Sequence, residues 1–236
     1  MGSFGESFDR AIRQPYIGNE LRLSPLAQTP MRTTKTTPKT LTDTEVHALL
    51  AATGRAERDL RDHVVLLLAV TTGLRVSELV ALNVDDLRNG KGVKTLVTLR
   101  AETTKGKREG EIVLPEKVRR KVAAFLAWKE RRGEPLTDDA ALFVSRGGGR
   151  GGAAGGSRLS VRTAEHLFSC WQARAGFDRR SNFHALRHTF ATKLLRATGN
   201  LRLVQRACRH GNVQTTTIYT HVTSDDVARA AETLTW

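Results

Sequence analysis

Residues 64–82 read VVLLLAVTTGLRVSELVAL, and this stretch determines much of the fold. Seven consecutive apolar residues at its start are typical of a helix that is buried on most of its sides. Gly73 predicts the end of that helix, because glycine readily adopts the left-handed conformation that terminates helices. Apolar residues at helical spacing resume at Val76. The stretch therefore predicts a buried central helix over 57–72, a sharp turn, and a second short helix over 76–82.

The flanking segments predict a mostly helical domain with one small sheet. Ahead of the central helix, residues 42–45 read TDTE, a capping box that starts the first helix. Pro115 is suited to opening a helix over 116–132. Further helices are predicted over 161–175, 184–197, 201–208 and 224–234, and strands over 82–87, 95–101 and 111–114. The basic stretch 103–107 predicts a tight hairpin between the last two strands. The predicted fold class is α+β, mostly helical, with a small antiparallel three-stranded sheet.

Two segments differ in composition from the rest of this domain. Residues 1–40 hold four of the six prolines among thinly spaced apolar residues, which predicts a basic, extended arm or linker. The folded domain then occupies 41–236. The glycine-rich stretch 147–156 predicts a flexible loop rather than a phosphate-binding loop, because no Gly-Lys-Ser/Thr sequence follows it.

The charge of the chain indicates a polyanionic partner. Among 236 residues, 38 are Lys or Arg and 24 are Asp or Glu, which gives a net charge of +14. Between Arg146 and Arg209 there are 13 basic residues and 2 acidic ones. A solvated face is the simplest explanation of any one such run, but so large an excess favours binding to phosphate, as in nucleic acid.

Other classes of protein fit the sequence poorly. The longest apolar run, 64–70, is too short to span a bilayer, and no signal peptide is visible near the N-terminus. Cys170 and Cys208 are the only cysteines, with no Cys-x-x-Cys pair, which argues against a disulfide framework and against a structural zinc site. We therefore expect a cytoplasmic protein.

Two clusters place cations where they could contact phosphate. Arg75 follows the glycine that ends the central helix, although a simple ion pair with Glu78 explains its position equally well. His184 and Arg187 lie three residues apart, so they share one face of a helix. An imidazole and a guanidinium side by side can hold and protonate phosphate oxygens, but this spacing alone is weak evidence.

The remaining candidates are isolated residues. His210 precedes Tyr219 by nine residues, and the tyrosine lies in the sequence TIYTHV. A lone tyrosine is most often a core or interface residue. Lys105 lies in the predicted hairpin, where a solvated turn lysine is the simplest interpretation. None of these residues identifies a function by itself.

Taken together, the clusters resemble the catalytic domain of the tyrosine recombinases, the phage integrase family. The resemblance covers about residues 40–236. The stretch 72–82 resembles the first arginine box of the family, 184–187 resembles its HxLR box, and 203–222 resembles its third box. The combined signal is strong because the three boxes occur in the expected order.

The resemblance implies a catalytic set and a reaction. The set is Arg75, Lys105, His184, Arg187, His210 and Tyr219. In this reaction the two arginines and His210 stabilise the charge on the non-bridging phosphate oxygens, and Tyr219 attacks phosphorus to form a 3′-phosphotyrosine. His184 accepts the phenolic proton, and Lys105 protonates the departing 5′ oxygen.

The resemblance also implies partners and cofactors. We expect double-stranded DNA recombination sites as substrate and a homotetramer in the synapse, with a monomer in free solution and no membrane partner. Neither metal nor ATP is expected, because cations replace a metal in this chemistry. The amphipathic segment 224–236 either packs on its own domain or docks onto a neighbouring protomer.

Two features depart from the family pattern. Arg209 stands where members usually carry glycine before the third-box histidine, so it either shifts the local backbone or adds a phosphate contact. Residues 1–40 lack the apolar periodicity needed for the usual core-binding domain. The chain is therefore expected to be either a catalytic-domain fragment or a minimal recombinase with a short basic arm.

Several functions share this set of residues. The first hypothesis is an integrase of a phage or mobile element that acts as a site-specific recombinase. Alternatives are an Xer-like recombinase that resolves chromosome or plasmid dimers, and a type IB topoisomerase-like enzyme. A non-catalytic DNA-binding regulator on the same fold is the alternative from a different class.

Overall fold

The computed structural model describes residues 40–90, 92–104, 109–145 and 156–209. The predicted arm before Thr40, the glycine-rich loop up to residue 155 and the predicted C-terminal helix 224–234 lie outside the described residues. The secondary-structure elements, in chain order, are α1 (Asp43–Thr53), α2 (Leu60–Thr72), α3 (Val76–Val80), α4 (Val84–Leu87), β1 (Arg88–Asn89), β2 (Gly92–Val93), β3 (Leu96–Leu99), β4 (Gly110–Val113), α5 (Glu116–Arg131), α6 (Val161–Arg174), α7 (His184–Thr198) and α8 (Leu201–Ala207).

Helix α2 is the centre of the fold, as its apolar sequence predicts. It follows a short 3-10 turn over Glu57–Asp59 and packs against α1, α3, α5, α6 and α7. Val64, Val65 and Leu66 are fully buried on successive positions, and the next residue, Leu67, is partly exposed, so the helix is buried on most of its sides. Gly73 ends the helix with a φ of 61°. The predicted central helix and its glycine stop are confirmed.

The first helix begins with the predicted capping box. The Glu45 backbone N–H donates to Thr42 Oγ1 at 3.1 Å, and the Thr42 N–H donates to a Glu45 carboxylate oxygen at 2.7 Å. Two N–H groups that helix geometry leaves without a partner are thereby satisfied. Leu41 is tied to α7 by its N–H, which donates to Thr189 Oγ1 at 2.8 Å.

The mostly helical fold class with a small antiparallel sheet region is confirmed. The predicted strand over 82–87 is wrong, and with it the three-stranded arrangement of the sheet. Residues Val84–Leu87 form α4, because the Asn83 N–H donates to the Asp86 carboxylate at 2.8 Å and acidic residues occupy the first turn. Val84 and Leu87 are both buried, at a spacing that suits a helix. Across the described ranges the strands instead form two separate two-stranded antiparallel sheets, β1–β2 and β3–β4.

The pairing of β3 with β4 in a hairpin is confirmed. Leu96 pairs with Val113, and Leu99 pairs with Gly110. A 3-10 turn over Ala101–Thr103 follows β3, so this strand ends earlier than the predicted 95–101. Residues 105–107 of the predicted tight turn lie outside the described residues. Within the described part of the chain, none of the helices is both long and apolar enough to cross a membrane.

Candidate functional site

Three segments that are distant in sequence meet at the C-terminal end of α2. The turn at Gly73 belongs to the first segment, α7 is the second, and the end of α8 is the third. A Cβ atom at Gly73 would lie 2.4 Å from Cδ1 of Phe190 on α7, and the residue has a positive φ. Glycine is therefore needed at this position both for its backbone conformation and for the close packing of α7 against the turn.

Arg75 lies at the start of α3 and is held by a buried carboxylate. Its Nη1 donates to Glu78 Oε1 at 2.7 Å, and its backbone N–H donates to Glu78 Oε2 at 2.9 Å. The Glu78 side chain is fully buried, whereas 22% of the Arg75 side chain is exposed. The ion pair considered as a simple explanation is real, and it also fixes a guanidinium that remains accessible.

Arg187 connects the first segment to the third from the buried face of α7. The residue is only 2% exposed, and its Nη1 donates to the Gly73 carbonyl oxygen at 2.5 Å. Its Nη2 donates to the carbonyl oxygen of Cys208. Burial, followed by the charges of Arg75 and Arg209, lowers the pKa of Arg187 to about 10. The group remains charged at neutral pH.

Two histidines stand one turn apart at the start of α7. The rings of His184 and His188 are perpendicular, with centroids 4.6 Å apart. Desolvation, followed by the charges of Arg187 and Arg75, lowers the pKa of His184, although part of its side chain is exposed. A neutral imidazole beside two guanidiniums is able to accept a proton.

His188 provides a prediction about pH. Burial, followed by the proximity of His184 and Arg187, lowers its pKa from 6.5 to about 4, so the folded state favours the neutral ring. The contribution of the neutral His188 ring to the free energy of unfolding is complete above pH 6.5. It is lost as the pH falls towards 4, because the unfolded chain takes up the proton first. Between pH 7 and pH 5 we expect the wild type to lose about 1–2 kcal/mol more stability than His188→Asn. Urea unfolding at both pH values measures this, and equal losses would contradict it.

Arg209, at the end of α8, adopts a strained backbone and a buried side chain. Its φ is 53°, the one positive value among the non-glycine residues that the structure describes. Its Nη2 donates to Glu78 Oε2 at 2.7 Å, and 11% of the side chain is exposed. Of the two alternatives from sequence, the shift of the backbone is not observed, because Arg209 keeps the conformation that suits glycine. Its guanidinium bonds instead to Glu78, a partner that neither alternative named.

Glu78 is therefore shared by two arginines, a role that sequence reasoning did not assign to it. Burial alone would raise the pKa of its carboxyl group, but the charge of Arg209 and the hydrogen bonds from Arg75 and Arg209 lower it overall. The carboxylate is ionised and compensates part of the positive charge of the cluster. The local spacing of Arg75 and Glu78 signals one of the two pairs, and no sequence pattern signals the other.

A surface cleft opens beside Arg75, between the β3–β4 hairpin and helices α7 and α8. Its volume is about 1130 Å³. Its polar lining combines three arginines with three glutamates: Arg75, Arg206, Arg209, Glu78, Glu109 and Glu111. Leu96 and Leu203 contribute to its apolar lining and are 50% and 41% exposed. A charged chain can therefore approach the exposed guanidinium of Arg75 from solvent.

The structure brings together three of the six predicted site residues. Arg187 bonds to the carbonyl group of Gly73, two residues before Arg75, and His184 lies one turn before Arg187 on α7, so the three residues belong to the same region at the end of α2. Lys105, His210 and Tyr219 lie outside the described residues, and their roles stay predictions. In the four described ranges no three His, Cys, Asp or Glu side chains are grouped so that they could hold a metal ion.

Comparison with known proteins identifies relatives along most of the chain. The sequence profile of the phage integrase family matches residues 39–225. Tyrosine recombinase XerC of Proteus mirabilis is 32% identical over 192 residues, which cover 81% of this chain and 57% of the relative. Tyrosine recombinase XerC of Haemophilus influenzae strain PittEE is 34% identical over 191 residues, covering 81% and 59%. The chain thus spans less than three fifths of the length of these relatives.

Solved structures share the fold. The crystal structure of XerA recombinase superposes with a TM-score of 0.66 at 26% identity, over 84% of this chain and 66% of that one. XerH recombinase, in a pre-cleavage complex with its difH substrate, superposes with a TM-score of 0.65 at 25% identity, over 85% of this chain and 55% of that one. The catalytic domain of bacteriophage HP1 integrase superposes with a TM-score of 0.54 at 18% identity, over 82% of this chain and 94% of that one. At this identity the likeness shows the fold alone.

Proposed function

The chain belongs to the phage integrase family of tyrosine recombinases, and from this premise we propose that it is a site-specific DNA recombinase acting through a 3′-phosphotyrosine intermediate. The observation that carries the proposal is the bond from Arg187 to the Gly73 carbonyl group, which places the His184–Arg187 turn of α7 beside the turn that leads to Arg75. Two guanidiniums and a neutral imidazole can stabilise phosphate charge and accept a proton during phosphodiester cleavage. We place Lys105, His210 and Tyr219 in the same site as part of this proposal.

The two arginines would stabilise the charge that develops on the scissile phosphate. The pentavalent transition state concentrates negative charge on its non-bridging oxygens, and fixed guanidinium donors bind such oxygens strongly. A guanidinium has five N–H donors, so the bonds of Arg187 to two carbonyl groups leave it able to donate further. Those bonds hold the guanidinium rigidly, which lowers the cost of reorganisation during the reaction.

The proton transfers follow from the same arrangement. The Tyr219 phenol, with an ordinary pKa of about 10, would lose its proton to His184 as its oxygen bonds to phosphorus. The phosphorus–5′-oxygen bond breaks, and Lys105 protonates the leaving oxygen. His210 would donate a hydrogen bond to a non-bridging oxygen. The residues thereby supply every proton transfer of the reaction without a cofactor.

The names of the relatives help to choose between the types of recombinase that the sequence left open. Both curated relatives are named XerC, which favours the Xer-type alternative over the phage or mobile-element integrase of the first hypothesis. We propose an Xer-type enzyme that acts on double-stranded DNA sites in the bacterial cytoplasm, as a tetramer in the synapse and as a monomer when free. The DNA complex of XerH supports DNA as the partner.

A nicked suicide substrate tests the activity directly. The protein is incubated with a library of nicked duplexes of randomised core sequence, from which the short cleaved fragment diffuses away and traps any covalent complex. We expect a protein–DNA band that resists SDS, and a nucleotide attached to the tryptic peptide that contains Tyr219. DNA binding without any covalent band would overturn the proposal and favour the non-catalytic regulator.

A further inference from the structure

We propose that Arg209 is a positioning residue of the site, which fixes the backbone leading to His210 through its ion pair with Glu78. This inference rests on the proposed function for its catalytic consequence, although the ion pair itself is a feature of the structure. Arg209 and Glu78 are 131 residues apart in sequence, and Nη2 to Oε2 is 2.7 Å. The pair therefore joins the end of α8 directly to the start of α3.

The surroundings of Arg209 are shaped to accept its side chain. A Cβ atom at Gly110, the first residue of β4, would lie 2.5 Å from Cδ of Arg209. The Arg209 Nη1 also donates to the Ala207 carbonyl oxygen at 3.0 Å, which folds the side chain back onto its own helix end. The absence of a side chain at Gly110 leaves room for the arginine to reach Glu78 along the wall of the cleft.

The ion pair offsets the strain of a backbone conformation that is unfavourable for arginine. A positive φ is strained for any residue with a Cβ atom, and such strain persists only where the surroundings hold it. The ion pair to a fully buried carboxylate supplies that restraint. Because His210 is the next residue in the chain, fixing the backbone of Arg209 also fixes the position of the peptide bond that leads to His210.

The sharing of Glu78 also affects Arg75. The carboxylate bonds to Arg75 through Oε1 and to Arg209 through Oε2, so one negative charge serves two positive ones. Arg75 is consequently less neutralised than it would be in an exclusive pair, and its accessible guanidinium attracts phosphate more strongly. Arg209 thus acts on the reaction through Arg75 and through His210, without contacting DNA.

Single-turnover cleavage with DNA-binding measurements tests this inference. With Arg209→Gln we expect the cleavage rate constant at saturating DNA to fall about tenfold or more, while the Kd for DNA stays within about twofold. Arg209→Lys keeps the charge and should recover most of the rate. Arg202→Gln, which removes the same charge from an exposed position on α8, should leave the rate constant unchanged.

Three outcomes would overturn the proposal. A raised Kd with an unchanged rate constant would make Arg209 a phosphate contact, and an unchanged rate and Kd would remove its role. Arg209→Gly removes the strain together with the pair, so it should recover most of the rate that Arg209→Gln loses, and cleavage as slow as that of Arg209→Gln would show that the pair does not act by offsetting backbone strain.

A double-mutant cycle separates this inference from the proposed function. If Arg209 and Glu78 form the pair, the thermal midpoints of Arg209→Gln, Glu78→Gln and the double variant should be strongly non-additive. Thermal midpoints do not depend on catalytic activity, so they test the pair of Arg209 and Glu78 even if the wild type forms no covalent adduct. Additive shifts would overturn the proposed pairing.

Discussion

Replacing Tyr219 with phenylalanine is expected to abolish the covalent protein–DNA adduct, with a loss of more than about 10³-fold. Phenylalanine has no oxygen that could bond to phosphorus, and attack by water instead would release DNA with no link to the protein. The charges that hold the duplex are unchanged, so the Kd for DNA should remain at its wild-type value. Adduct yield on the nicked suicide substrate, beside a filter-binding titration, measures both quantities.

The chain provides a matched control for this experiment. Tyr16 is the only other tyrosine, so Tyr16→Phe makes the same chemical change at a site with no proposed role. Tyr16→Phe should retain the adduct. An adduct that persists in Tyr219→Phe and disappears in Tyr16→Phe would reassign the nucleophile.

Replacing Arg187 with lysine is expected to lower the cleavage rate constant about 10²–10³-fold, although the positive charge is kept. The planar guanidinium bonds at the same time to the carbonyl groups of Gly73 and Cys208. A lysine ammonium is a single point donor on a flexible stem, so it cannot span both carbonyl groups in the same geometry. One buried carbonyl oxygen would lose its partner, at a cost of about 1–3 kcal/mol in stability.

A second substitution on the same helix controls for the chemical change. Arg196 lies in the last turn of α7 and is exposed, so Arg196→Lys should alter neither stability nor the cleavage rate constant. Urea unfolding and single-turnover cleavage at saturating DNA give the two readouts. Wild-type cleavage by Arg187→Lys would show that the charge suffices and that the forked contacts are dispensable.

Most of the helical framework was predictable because it depends on local signals. The apolar run 64–70, the glycine at position 73 and the capping box at 42–45 each specify a helix or its end without reference to the rest of the chain. The strand predicted over 82–87 is wrong because the local signal there is ambiguous. Its apolar spacing fits either structure, and the bond from Asn83 to Asp86 decides for a helix.

The candidate site was only partly predictable. The resemblance to a family selected Arg75, His184 and Arg187, and the structure brings these three together. It could not select the carbonyl groups that hold Arg187, because every residue carries a carbonyl group and no side-chain pattern marks the ones in use. The bond from Arg209 to Glu78 was not among the alternatives from sequence, which were a shifted backbone and a phosphate contact, because no local pattern marks a partner 131 residues away.

The sequence by itself determined most of the helices and the basic character of the chain, and it supplied the candidates for the reactive side chains. The tertiary structure alone decided that Glu78 serves both Arg75 and Arg209, and that Arg187 spans two segments. The partners of these contacts are separated by up to 131 residues. Their distances depend on how α7 and α8 pack at the end of α2, and helical periodicity carries no information about such packing.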